Sequence, residues 1–135
     1  MLKKLLLLLL LSLSAAAQGR IPVELCGQWT YYSGGGTYTG GSYSVQRSVV
    51  LNQDGSYIYQ GEASNSGGNG QSYGDGRDHG SWWIQGETLC AKSSVTGELT
   101  QYPIELRNNK NGDPMIVIDG DAYVTATARA PWPNY

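Results

Sequence analysis

Residues 80–107 read GSWWIQGETLCAKSSVTGELTQYPIELR, and the fold class follows from them. Three runs rich in aromatic and β-branched residues, Gly80–Gln85, Thr88–Val95 and Leu99–Arg107, are separated by Gly86-Glu87 and Thr96-Gly97-Glu98. Glycine-containing turns this short join antiparallel strands, because a parallel crossover needs about a dozen residues or more. Alternation agrees. Tyr102, Ile104 and Leu106 share one face of their strand, and Trp82 and Trp83 point to opposite faces of theirs, one into a core and the other outward or under a loop.

Working outward, Asn108 to Asp113 reads as a turn, and Pro114 suits the start of a strand because it has no N–H to give a ladder. Met115–Ile118 and, after Asp119-Gly120-Asp121, Ala122–Ala128 are the last two strands. Toward the N-terminus, Gln28–Tyr32 and Tyr43–Leu51 flank glycines at 34–36 and 40–41. Asn52-Gln53-Asp54-Gly55 then turns into Ser56–Ala63, since Asp-Gly readily takes the positive φ of a hairpin. Tyr57 and Tyr59 share one face of that strand, with Ile58 opposite. Ser64 to Gly76, SNSGGNGQSYGDG, has no aliphatic residue, so a flexible loop rich in Gly, Ser and Asn is expected over 64–79. The tail from Ala130 to Tyr135 is too rich in proline to continue a sheet. No window keeps apolar residues at helical spacing. About eight strands in simple order predict an all-β protein, a small antiparallel up-and-down barrel that closes to remove its edges. The alternative is a two-sheet β-sandwich.

The N-terminus sets the compartment. Lys3-Lys4, the run Leu5 to Leu11 and Ala15-Ala16-Ala17 form the three regions of a secretory signal peptide, cut after Ala17. The 13 apolar or small residues from Leu5 to Ala17 are too few for a spanning helix, which needs about 20. Residues 18–135 are then one exported domain, periplasmic or secreted, and not embedded in a membrane. With 9 basic and 11 acidic residues the chain carries a formal charge of −2, and losing Lys3 and Lys4 makes it −4. Such a domain has no electrostatic footprint for nucleic acid. In an oxidising compartment two cysteines with none left over read as one disulfide, Cys26–Cys90. Two Cys and one His do not make a zinc site, and no metal or other cofactor is expected.

Gly27-Gln28-Trp29 at the start of the first strand resembles the first motif of lipocalins and related calycins. Asp54-Gly55-Ser56-Tyr57, Gly80-Ser81-Trp82 and the hairpin at Asp119-Gly120 extend the likeness to small bacterial lipocalin-like barrels. The resemblance implies that Trp29 packs across the closed end of the barrel beneath Arg129. It implies the fold more than it implies a ligand, because a reduced barrel can be filled by its own side chains. The chain has no helix after the barrel and no clear counterpart of the second lipocalin motif.

The chemistry-bearing residues are few. His79 follows Asp78, but a Ser-His-Asp mechanism also needs a placed nucleophile and an oxyanion hole, and no Gly-x-Ser-x-Gly elbow is present. Asn69, Asp75 and Asp78 could offer oxygens to calcium, without an EF-hand pattern. Glu62, Glu87, Glu98 and Glu105 are dispersed, and nothing selects a pair of them for glycoside cleavage. The aromatic set is the strongest signal: ten Tyr and four Trp, with no Phe, all carry an apolar body with a polar handle. Tyr57, Tyr59, Tyr73 and Trp83 are the candidate binding residues. The leading expectation is a non-enzymatic binding protein for a small apolar ligand or a protein partner. An inhibitor of an extracytoplasmic enzyme, using the 64–76 segment with Trp83 nearby, is the alternative. A hydrolase using Asp78 and His79 is the remote one.

Overall fold

The computed structural model describes residues 19–36, 41–67 and 70–133, without the side chains of residues 70–73. The expected signal peptide, residues 1–17, lies outside the described residues. Eight antiparallel strands form one closed barrel in chain order: β1 (Gly27–Gly36), β2 (Ser42–Leu51), β3 (Ser56–Gly67), β4 (Gly70–Gln85), β5 (Thr88–Ser93), β6 (Leu99–Asn108), β7 (Pro114–Ile118) and β8 (Asp121–Val124). The barrel replaces the sandwich alternative. A short 3₁₀ turn, Val23–Leu25, precedes β1, and among the described residues no helix is long and apolar enough to cross a membrane.

Register places one parity of each strand inside. Trp29 and Tyr31 face Val49 and Arg47, Tyr57 and Tyr59 face Gly80 and Asp78, and Trp82 faces Ala91. Trp29, Leu51, Trp82, Ile84, Leu89, Ile116, Ile118 and Tyr123 belong to one continuous core. Pro103 falls where β6 passes from pairing with β5 to pairing with β7, so its missing N–H interrupts neither ladder internally.

The segments before β1 and after β8 close the same end of the barrel. Trp29 has no exposed surface, and its Nε1 donates to the Leu25 carbonyl at 2.9 Å. The Arg129 guanidinium lies 5.0 Å from the Trp29 ring centroid and donates to the carbonyls of Glu24, at 2.7 Å, and Cys26. Trp132 stacks on Trp29 with centroids 6.2 Å apart and donates its own Nε1 to the Met115 carbonyl at 2.9 Å. The Asn108 side chain both donates to and accepts from the Trp132 backbone, which pins the tail. Gly27 is required here. Its φ is +134°, and an added Cβ would collide with the Arg129 guanidinium. β1 and β8 complete the circle at a single residue pair among the described residues, Thr30 with Val124.

Three expectations need correction. Of the segment 64–79, residues 64–67 and 70–79 are strand rather than loop: β3 and β4 stay paired from Ser56 with Ser81 to Gly67 with Gly70. A ladder needs only backbone groups, so it can run beyond the apolar core. Serine hydroxyls tie β3 to β2 at the same height, Ser42 with Ser66 at 2.8 Å and Ser44 with Ser64 at 2.6 Å. The last strand ends at Val124 instead of Ala128, where Thr127 N–H turns back to Thr125 Oγ1 and the chain leaves to bring Arg129 across the end. Cys26 and Cys90 are both free thiols, not a disulfide. Cys26 ends the 3₁₀ turn with Sγ toward the Pro22 carbonyl, whereas Cys90 sits between Trp83 and Gln101, on the parity opposite to the core-facing Leu89 and Ala91.

Two outcomes test this description. Trp29→Ala is expected to lower the unfolding free energy by about 3–5 kcal/mol in a urea melt, the usual range for emptying a buried indole site. Thiol titration is expected to count two thiols in denaturant. In the native protein Cys26 reacts slowly, its pKa raised by burial, while Cys90 is protected with 1% of its surface exposed.

Candidate functional site: the barrel cavity

Opposite the Trp29 end the barrel is open. β1 to β4, with 10, 10, 12 and 16 residues, stand taller than β5, β7 and β8, with 6, 5 and 4, so one side of the mouth is a raised wall. A cavity of about 580 Å³ occupies the interior below it. Leu51, Trp82, Leu89 and Ile118 supply apolar lining, Tyr57, Tyr59, Tyr102 and Tyr123 supply rings, and the charged lining groups are Arg47, Arg77, Asp78, Glu98, Asp119 and Asp121.

Two polar assemblies face each other across this space. On β4, Asp78 is held by two hydroxyls: Tyr57 Oη donates to Oδ2 at 2.6 Å, and Ser93 Oγ donates to Oδ1 at 2.6 Å. Ser93 in turn accepts the N–H groups of Val95 and Thr96 at 3.1 Å each, so the turn after β5 fixes the hydroxyl that fixes the carboxylate. These hydroxyls, Ser93 first, hold the Asp78 carboxyl below its usual pKa, while burial, then the Asp78 carboxylate, pushes the Tyr57 phenol up. On the other side Arg47 of β2 reaches past β1 to Asp121 of β8, at 2.7 Å. Its guanidinium also lies 5.3 Å from the Tyr31 centroid, and Tyr31 contacts Tyr123 at 5.7 Å. The Arg47–Asp121 ion pair therefore spans the barrel seam above the Thr30–Val124 pair.

Of the four residues singled out from sequence, Tyr57 and Tyr59 line the cavity. Trp83 leaves β4 on the outer side and packs against Gly19 so closely that a Cβ there would overlap the indole. The Tyr73 side chain lies outside the described residues, although its backbone pairs with Ser64. Asp78 and His79 are neighbours on one strand, so their side chains leave on opposite faces: Asp78 enters the cavity and His79 is exposed outside beside Ile58. Asp75 and Asp78 likewise have opposite parity, and Asn69 lies outside the described residues. Among the described residues no three His, Cys, Asp or Glu side chains converge as metal ligands.

Arg47, Ser93 and Asp121 were not singled out from sequence. Ser93 would have followed from parity, since it lies two residues after Ala91 and four after Leu89 on the inward side of β5. The Arg47–Asp121 pair joins residues 74 apart and has no local signal. Comparison of the chain with protein-family models, with curated proteins and with solved structures finds no match.

Tyr57→Phe and Ser93→Ala are each expected to raise the Asp78 pKa toward the ordinary carboxylate value, read by NMR titration of its carboxyl carbon. Because the folded pKa is depressed, this group's contribution to stability is complete above about pH 4 and is lost as pH falls through the folded value. Asp78→Asn is expected to flatten that acid limb, and an unchanged acid-unfolding profile would contradict the assignment.

Proposed function

We propose that the protein is an exported, non-enzymatic binding protein of lipocalin-like type whose barrel takes up a small, largely apolar molecule. The observation that carries this reading is the cavity of about 580 Å³, stoppered at the Trp29 end and lined by both apolar and aromatic side chains. That volume is in the usual range for small-molecule sites, about 300–1,000 Å³, and a few placed polar groups over apolar lining is the usual composition of such sites. The leader at residues 1–17 supports export.

A binding role also accounts for why the interior is not filled. Ala91 faces Trp82 and Thr100 across the two ladders, where a larger side chain would occupy the space. The inhibitor alternative joined Trp83 to the 64–76 segment as one contact surface. Trp83 and Gly76 are separated along β4 by about 23 Å at strand spacing, and Trp83 is covered by Gly19, so the geometry favours the cavity.

The test is Ala91→Trp. In the parent protein an uncharged fluorescent probe, N-phenyl-1-naphthylamine, is expected to bind with enhanced emission. In Ala91→Trp binding is expected to weaken about tenfold or more, a loss of about 1.4 kcal/mol, while far-ultraviolet circular dichroism stays the same. Equal affinity in the two proteins would place the probe outside the barrel and remove the reading.

A further inference from the structure

The charges around the cavity are unequal. Four carboxylates, Asp78, Glu98, Asp119 and Asp121, line it against two guanidinium groups, Arg47 and Arg77. Both cations already have partners. Arg47 is engaged by Asp121 at 2.7 Å and by the Tyr31 ring. Arg77 is largely exposed and lies 4.0 Å from Asp75.

Asp78 makes no ion pair of this kind among the described residues; besides its two hydroxyl donors, the neighbouring His79, through its backbone N–H and its imidazole, lowers its pKa by a smaller amount. Tyr57 and Ser93 give it two neutral donors, which aim the carboxylate but leave its charge in place. Each oxygen accepts one hydroxyl bond, the His79 backbone N–H adds to them, and a carboxylate with about four acceptor sites keeps capacity for a further donor. The group is partly exposed, whereas its two donors are buried, and it lines the cavity. The same cavity is lined by the Tyr59, Tyr102 and Tyr123 rings, and aromatic faces attract cations. A ligand carboxylate brought here would meet a like charge, and an alcohol would gain one ordinary hydrogen bond. An ammonium would gain a charge-assisted bond and ring contacts together.

Resting on the cavity reading above, we infer that the ligands are organic cations: an ammonium head seated at Asp78, with an aliphatic or aromatic body lying along Leu51, Trp82, Leu89 and Ile118. Asp78 is then the residue that selects the head, and the Tyr57–Ser93 pair positions it. The Arg47–Asp121 pair leaves the opposite wall without a free cation to compete for the carboxylate or to recruit anionic molecules.

Calorimetric titration of the protein, residues 18–135, with octylamine, octanol and octanoate at pH 7.5 separates the head from the body. Octylamine is expected to bind about tenfold or more tightly than octanol, and octanoate is expected to bind most weakly, because only the head differs along the series. Asp78→Asn is expected to remove the preference for the amine and leave octanol unchanged. In the parent protein the Asp78 carboxyl ¹³C resonance is expected to move with octylamine and stay still with octanol, a readout that does not depend on the variant folding. Equal binding of all three, or tightest binding of octanoate, would overturn the cation inference while leaving a cavity for apolar molecules. A preference that survives Asp78→Asn, or an unmoved Asp78 resonance, would overturn the assignment to Asp78. No heat from any of the three, together with no uptake of the uncharged naphthylamine probe, would remove both readings.

Discussion

The contact of the Arg129 guanidinium with the Trp29 indole is the interaction on which the rest of the barrel depends. β1 and β8 share one residue pair among the described residues, too little ladder to hold a circle closed. Arg129 supplies the missing connection from outside the ladder, because the same side chain covers the ring and takes up carbonyls of Glu24 and Cys26. Trp132 then stacks on the same indole. Each indole N–H finds a backbone carbonyl, so the stopper is apolar in its bulk yet leaves no buried donor unpaired.

Closing one end this firmly permits the other to stay hollow. The cavity is bounded by long side chains whose polar atoms are committed to each other: Tyr57 and Ser93 to Asp78, Arg47 to Asp121. Among the described residues no buried side-chain nitrogen or oxygen lacks a hydrogen-bond partner. A wall satisfied in this way does not need to collapse inward, and removing one member strands the other. The fold and the cavity are thus coupled at the seam, where the Arg47–Asp121 pair and the Tyr31–Tyr123 contact reinforce the weak β1–β8 junction while shaping one side of the opening.

Much of this architecture was legible in the chain. Turn chemistry at Asp54-Gly55, Gly86-Glu87 and Asp119-Gly120 marks three hairpins, and the eight runs between turns appear as eight strands in the expected order. The ribbon formed by residues 64–67 and 70–76 escaped because its stabilising groups are backbone amides and hydroxyls, which leave no hydrophobic period to read. Counting cysteines could not reveal that Cys90 occupies a wall position between Trp83 and Gln101 while Cys26 sits on the terminal turn. For the site, alternation was enough to bring Tyr57 and Tyr59 to one face. The same rule, applied to Asp78 and His79, separates the pair that adjacency in sequence had joined. Arg47 and Asp121 meet only because the barrel closes, so no local pattern could announce them.

The distance along the chain between the two halves of the stopper carries a consequence for the order of events during synthesis. Arg129 and its acceptor at Glu24 are 105 residues apart, and Trp132 lies farther on still. Hairpins such as β2–β3 and β4–β5 can form as soon as they emerge. The first strand must wait, its indole uncovered, until the segment carrying Arg129 and Trp132 reaches it. Completion of the domain is therefore a late, chain-length-gated event, and a nascent or C-terminally shortened molecule presents Trp29 as an open apolar surface. That places the molecule's exposure to chaperones and to aggregation before Arg129 and Trp132 dock on the indole, and its protection afterwards.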